Sequence, residues 1–110
     1  MRINFTFRHL EPSDGIKSYA TEKIARLQKY LRAPLTAEVV VGTERHLHQV
    51  DVSVVSEGQR YAATEESEDM YASIDMVLDK LDRQVRSRKD AEVTKTRHAH
   101  ESVHLGKHSA

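Results

Sequence analysis

A chain of 110 residues supports one hydrophobic core and is too short for two independent ones. Its 17 Lys and Arg balance 17 Asp and Glu to a formal net charge of zero, so total charge selects neither nucleic acid nor membrane; a partner senses the local patch within a Debye length of ~8 Å. The absence of cysteine excludes disulfides, thiolate metal sites and cysteine nucleophiles, and with no apolar run near the ~20 residues of a bilayer crossing and no basic-then-apolar leader after Met1, a cytoplasmic location is expected.

From Arg2 to Arg8, Ile3, Phe5 and Phe7 alternate with polar neighbours, which predicts a strand with one buried face. Ser13 then offers a helix N-cap, Asp14 suits the positive end of the helix dipole, and Ile16, Ala20, Ile24, Leu27 and Leu31 recur at helical spacing. This helix is expected to stop near Arg32, because Ala33 precedes Pro34 and is biased away from helical angles. Three strand-like runs follow: residues 37–43 carry Val39 and Val41 on one face, residues 49–55 carry Val50, Val52 and Val54, and residues 60–64 carry Tyr61 and Ala63. Arg45, His46 and Leu47 are expected in the first turn and Glu57, Gly58 and Gln59 in the second.

A second helix is predicted from Asp69, its N-cap, to Lys89, with Met70, Ile74, Val77, Leu78, Leu81 and Val85 within an arc of roughly 100°. Beyond Glu92 the periodicity ends. Residues 1–92 are therefore read as one domain and residues 93–110 as a flexible, His-rich C-terminal tail. A helix joining the first two strands implies a right-handed crossover and a parallel pair, with the other strands antiparallel. The expected fold is α+β, in the order β-α-β-β-β-α, with a four-stranded mixed sheet and two helices packed on one face.

The second helix changes charge along its length. From Glu65 to Asp79 every charged residue is acidic, whereas from Lys80 to Lys89 they are basic apart from Asp82. Lys80, Arg83 and Arg86 step around the side opposite the apolar stripe, and Arg88 and Lys89 finish the end. On the first helix Lys23, Arg26 and Lys29 lie on or beside the exposed side, with Arg32 at the end and Tyr19 and Tyr30 at the border. Two helices side by side would gather these groups into a surface for phosphates, Arg supplying a planar fork, Lys a point charge and tyrosine a stacking face. The same pattern also fits an ordinary solvated face. Basic residues in a last turn complement the dipole, and Asp79 with Arg83 and Asp82 with Arg86 are i,i+4 pairs.

Other constellations carry less. His100, Glu101 and His104 satisfy H-E-x-x-H, but the segment has no apolar stripe to anchor a helix and Gly106 falls one place early for the longer zinc motif. His108 extends the series, so weak chelation by the tail is the most it offers, and no resident metal or cofactor is expected. Protonation of His98, His100, His104 and His108 below a pH of about 6.5 would add positive charge to the tail. His46 and His48 beside the first turn read as solvated. The four scattered glycines form no phosphate loop, and no nucleophile is spaced with a base, so neither an enzyme nor a small-molecule substrate is expected.

The order of residues adds a more specific signal. Residues 69–75, D-M-Y-A-S-I-D, followed at 79–86 by D-K-L-D-R-Q-V-R, resemble the helix of the bacterial ribosome hibernation-promoting factors, also called ribosome-associated inhibitors or sigma-54 modulation proteins, which reads approximately D-M-Y-A-A-I-D and then D-K-L-E-R-Q-L-R-K. Residues 19–30, Y-A-T-E-K-I-A-R-L-Q-K-Y, resemble that family's first helix, and the resemblance spans about residues 1–92. It implies a protein that is not an enzyme and that binds the small ribosomal subunit in the decoding channel over the A and P sites. There it would exclude messenger and transfer RNA in starved or stationary cells.

By the same resemblance, Lys23, Arg26, Lys29, Lys80, Arg83, Arg86 and Lys89 would contact 16S ribosomal RNA phosphates. The acidic start of the second helix would face away from RNA or meet a basic ribosomal protein. Long family members carry a second, ribosome-dimerising domain for which the residues after Glu92 are too few, so this chain resembles a short form that depends on, or opposes, a separate dimerising factor. The competing reading is a double-stranded RNA-binding module, whose meander and helix match the second half of the pattern but which places lysines at the start of its last helix. A protein-interaction domain using the open sheet face is a further alternative.

Overall fold

The computed structural model describes residues 1–97, with side chains described through Arg88. The elements are β1 (Arg2–Arg8), α1 (Asp14–Gln28), β2 (Thr36–Glu44), β3 (Leu47–Ser56), β4 (Gln59–Ser67) and α2 (Met70–Arg97). The strands form one sheet in the order β1-β2-β3-β4, with β1 parallel to β2 and the other pairs antiparallel. This is the predicted α+β arrangement.

The register explains why one face is buried. Ile3, Ala37, Val54 and Tyr61 align across the sheet, then Phe5, Val39, Val52 and Ala63, then Phe7, Val41 and Val50. Valines suit a pleated, half-buried surface because the branched Cβ packs well there. Against these rows α1 presents Ile16, Ala20, Ile24 and Leu27, and α2 presents Met70, Ile74, Val77, Leu78, Leu81 and Val85, so both predicted helical stripes lie in the core. Among the described residues, nothing covers the opposite sheet face. Because α1 follows β1 and α2 follows β4, and those strands point the same way, the two helices run parallel and their C-termini lie at one end of the molecule.

Local chemistry fixes the boundaries. Ser13 Oγ accepts from Ile16 N at 3.2 Å and Asp69 Oδ1 accepts from Tyr71 N at 3.3 Å, so both predicted N-caps are formed. The β3–β4 turn is Glu57 and Gly58 alone, both at positive φ (52° and 77°), the pattern of a tight hairpin whose twist matches its strands. The β2–β3 turn is Arg45 and His46, with Arg45 at φ 60°, so Leu47 and Gln59 open strands rather than completing turns.

Two helix ends differ from expectation. Helix α1 ends at Gln28, short of Arg32, and Leu31 packs on the core from the following loop. The cause is Gln28, whose amide donates to Ala33 O at 2.9 Å and Leu31 O at 3.4 Å and accepts from Leu35 N at 2.9 Å, satisfying loop backbone that helix would otherwise occupy. Helix α2 continues to Arg97, past Val85, the last residue of its buried stripe. Lys89, Ala91, Glu92 and Lys95 are good helix formers, and extending an existing helix needs no new nucleus. The remaining tail, with His98, His100, His104 and His108, lies outside the described residues.

Candidate nucleic-acid interface

The outer surfaces of α1 and α2 meet in a groove of about 310 Å³ lined by Lys23, Arg26, Leu27, Lys29, Tyr30, Asp75, Leu78, Asp79 and Asp82. It brings the cations of α1 against α2, as expected, but interleaves them with carboxylates. At its upper end Tyr19 Oη donates to Asp75 Oδ1 at 2.7 Å, Lys23 Nζ lies 3.1 Å from the same oxygen, and the Tyr19 ring meets Tyr71 edge-on with centroids 4.9 Å apart. The Tyr19 hydrogen bond, with help from Lys23, holds the Asp75 carboxyl below the usual carboxylate range against some opposing desolvation. Asp75 in turn raises Lys23 and Tyr19 above their ordinary values, chiefly through its hydrogen bonds to them.

Three of the remaining predicted cations pair along their own helix. Arg26 lies 3.8 Å from Glu22, Arg83 2.6 Å from Asp79 and Arg86 2.9 Å from Asp82, all i,i+4. Arg86 also sits over the Tyr30 ring, 5.9 Å from its centroid, so it belongs to the groove's lower end with Lys29, the C-cap of α1. Arg83 stands on the crest of α2, with a side chain 71% exposed. Lys80 does not join the groove: it pairs with Glu65 of β4, on the flank of α2 away from α1. The side chain of Lys89 lies outside the described residues.

The surface is therefore a field of exposed ion pairs rather than a bare basic patch. Such pairs are individually worth about 0–1 kcal/mol, so a phosphate can replace the carboxylate at little cost. Tyr19 and Lys23 are neighbours one turn apart on α1, but the position of Asp75 against them depends on helix–helix register, and nothing in the sequence pairs Asp75 with either. Acidic groups gather instead at the other end, where Glu65, Glu66 and Glu68 precede the Asp69 cap. That is the reverse of a double-stranded RNA module's lysine-bearing last helix. Of the two histidines at the first hairpin, His46 is exposed as expected, 3.7 Å from Glu68, whereas His48 is half-buried: its backbone carbonyl accepts from Ser73 Oγ at 2.8 Å and its ring Nδ1 is buried without a hydrogen-bond partner among the described residues. No cluster of metal-ligating side chains occurs among the described residues.

The profile of the sigma 54 modulation protein / S30EA ribosomal protein family matches residues 3–92. The chain belongs to this family. It is 31% identical over 93 residues to the ribosome hibernation promoting factor of Azotobacter vinelandii, covering 84% of this chain and 87% of that one. To the Escherichia coli K12 protein of the same name it is 33% identical over 90 residues, covering 82% and 95%. Among solved structures, the N-terminal domain of Thermus thermophilus Protein Y superposes with a TM-score of 0.74 at 33% identity, covering 79% of this chain and 98% of that domain. A ribosomal subunit interface protein from Coxiella burnetii shares the fold, with a TM-score of 0.72 at 22% identity over 82% of this chain and 99% of its own.

Proposed function

We propose that this protein silences ribosomes. It binds the small subunit in the messenger RNA channel over the A and P sites and excludes messenger and transfer RNA in stationary or stressed cells. The observation that carries this reading is family membership across residues 3–92, with relatives named ribosome hibernation promoting factor at 31% and 33% identity over more than four-fifths of the chain. The binding unit is residues 1–92, the compartment is the cytoplasm, and action is by occupancy, without catalysis or cofactor.

In this reading Lys23, Arg26, Lys29, Lys80, Arg83, Arg86 and Lys89 engage ribosomal RNA phosphates. Lys23, Arg26, Lys80, Arg83 and Arg86 each exchange an intramolecular carboxylate for a phosphate, and the counterions released from the RNA supply the driving force, so affinity is high at low salt without reading a base sequence. A cell-free translation assay tests this. The protein is expected to inhibit in stoichiometric proportion to ribosomes, and the combined Lys80→Ala, Arg83→Ala, Arg86→Ala variant to lose most of that inhibition while staying folded. Full inhibition by the variant would displace the site; no inhibition by the unaltered protein would remove the function.

A further inference from the structure

A second cavity, of about 270 Å³, opens at the end of the molecule where both helices have their C-terminal sides, between the loop after α1, the β3–β4 hairpin and α2. Tyr61 and Val85, both buried, and Leu31 give it an apolar lining. Its polar groups are Ser56, Glu57 and Gln59 of the hairpin, with Arg32 and the half-exposed Tyr30 on the opposite side. The Ser56 hydroxyl is already committed, donating to Ala33 O at 3.0 Å. Glu57 and Gln59 remain as lining groups that can address a ligand's edge. Beside the opening, the Arg86 guanidinium lies over the Tyr30 ring.

We propose that this cleft receives one unstacked RNA base. An aromatic ring at the mouth, an apolar lining and a carboxylate with a carboxamide at one wall match the three parts of a nucleobase: its π face, its body and its hydrogen-bonding edge. Arg32 and Arg86 stand where the flanking phosphates of that nucleotide would pass. The Glu57 carboxylate accepts N–H donors, so a base that presents an imino and an amino N–H side by side, as guanine does, is preferred over uracil. The cleft lies away from the Lys23–Asp75 end of the groove, so it adds a position-specific contact to an otherwise sequence-blind phosphate surface. The inference takes RNA as the partner, as in the function proposed above.

Two measurements test it. In the first, amide resonances are followed while guanosine 5′-monophosphate, uridine 5′-monophosphate or inorganic phosphate is added to the full chain. Shifts at Leu31, Gly58 and Gln59 are expected with the guanine nucleotide, weaker ones with the uracil nucleotide and none with phosphate. Equal shifts with phosphate, or none with any nucleotide, would overturn the proposal whatever the protein does to ribosomes. In the second, Tyr30→Leu and Tyr30→Phe are compared for binding to isolated small subunits. Tyr30→Leu is expected to weaken binding about tenfold with an unchanged salt slope, and Tyr30→Phe to bind normally. Unchanged affinity for Tyr30→Leu, with the unaltered protein bound, overturns the cleft and leaves the ribosome reading standing. Failure of the unaltered protein to bind overturns the ribosome reading, and the nucleotide titration then decides the cleft alone.

Discussion

Asp75 ties the two helices together through a single carboxylate oxygen, accepting from Tyr19 on α1 and facing Lys23 one turn further along it. Its depressed carboxyl means that the folded state favours the charged form. The stabilisation is present above the ordinary carboxylate value of about 4 and is lost as pH falls through the lower folded value. Asp75→Asn is therefore expected to lower the urea midpoint at pH 7, and the gap from the unaltered protein to narrow as pH falls below about 4; a gap that does not narrow as the pH is lowered would contradict the assigned cause. Gln28 is a second residue whose importance comes from position. Its three hydrogen bonds hold the loop to β2, so Gln28→Ala is expected to cost about 1–3 kcal/mol in urea unfolding, since buried loop backbone is left unpaired. Neither residue is legible in the sequence. A glutamine in a helical pattern and an aspartate in an acidic run look like surface, and their partners are fixed only once α1, α2 and β2 are docked.

At the scale of elements the sequence was far more readable. The periods that reveal a strand or an amphipathic helix are the same periods that bury it, so Val39, Val41, Val50, Val52 and Val54, and all six apolar positions named on α2, emerged in the core. Boundaries were less legible because a side chain distant in sequence can override propensity, as Gln28 does at the end of α1, and because a helix can outrun its apolar stripe, as α2 does beyond Val85. The α2 stripe contributes six buried residues to the core. Leu81, fully buried at its centre, should lose about 2–5 kcal/mol on replacement by Ala, read by urea or thermal unfolding. On the sheet-facing flank, Gln84 donates to Ala62 O at 2.8 Å and accepts from Ala62 N at 3.2 Å. It thereby occupies edge groups of β4 that could otherwise template pairing with another chain.

Taken whole, the molecule is electrostatically polar although its formal charge is zero. Asp14, Glu44, Glu65, Glu66, Glu68 and Asp69 lie toward the helix N-terminal end, and Lys29, Arg32, Arg60, Arg86 and Arg88 toward the other. Such a distribution orients a protein in the field of a polyanion before contact, which total charge cannot reveal. The grouping of Arg26, Lys29 and Arg86 around one groove was legible from helical spacing. The placement of Lys80 on the opposite flank, against Glu65, was not, because it depends on where β4 lies relative to α2.

The central claim, that the helix cations bind the small subunit by displacing carboxylates for phosphates, is tested most directly by sedimenting the protein with purified small subunits across a salt series. The unaltered protein should travel with the subunit at about 50 mM salt and weaken about a thousandfold or more by about 200 mM. The combined Lys80→Ala, Arg83→Ala, Arg86→Ala variant should bind more weakly at low salt, with its slope reduced by about one for each phosphate contact removed. A protein that stays at the top of the gradient at low salt, or a variant that binds with the unaltered affinity and slope, would contradict the account.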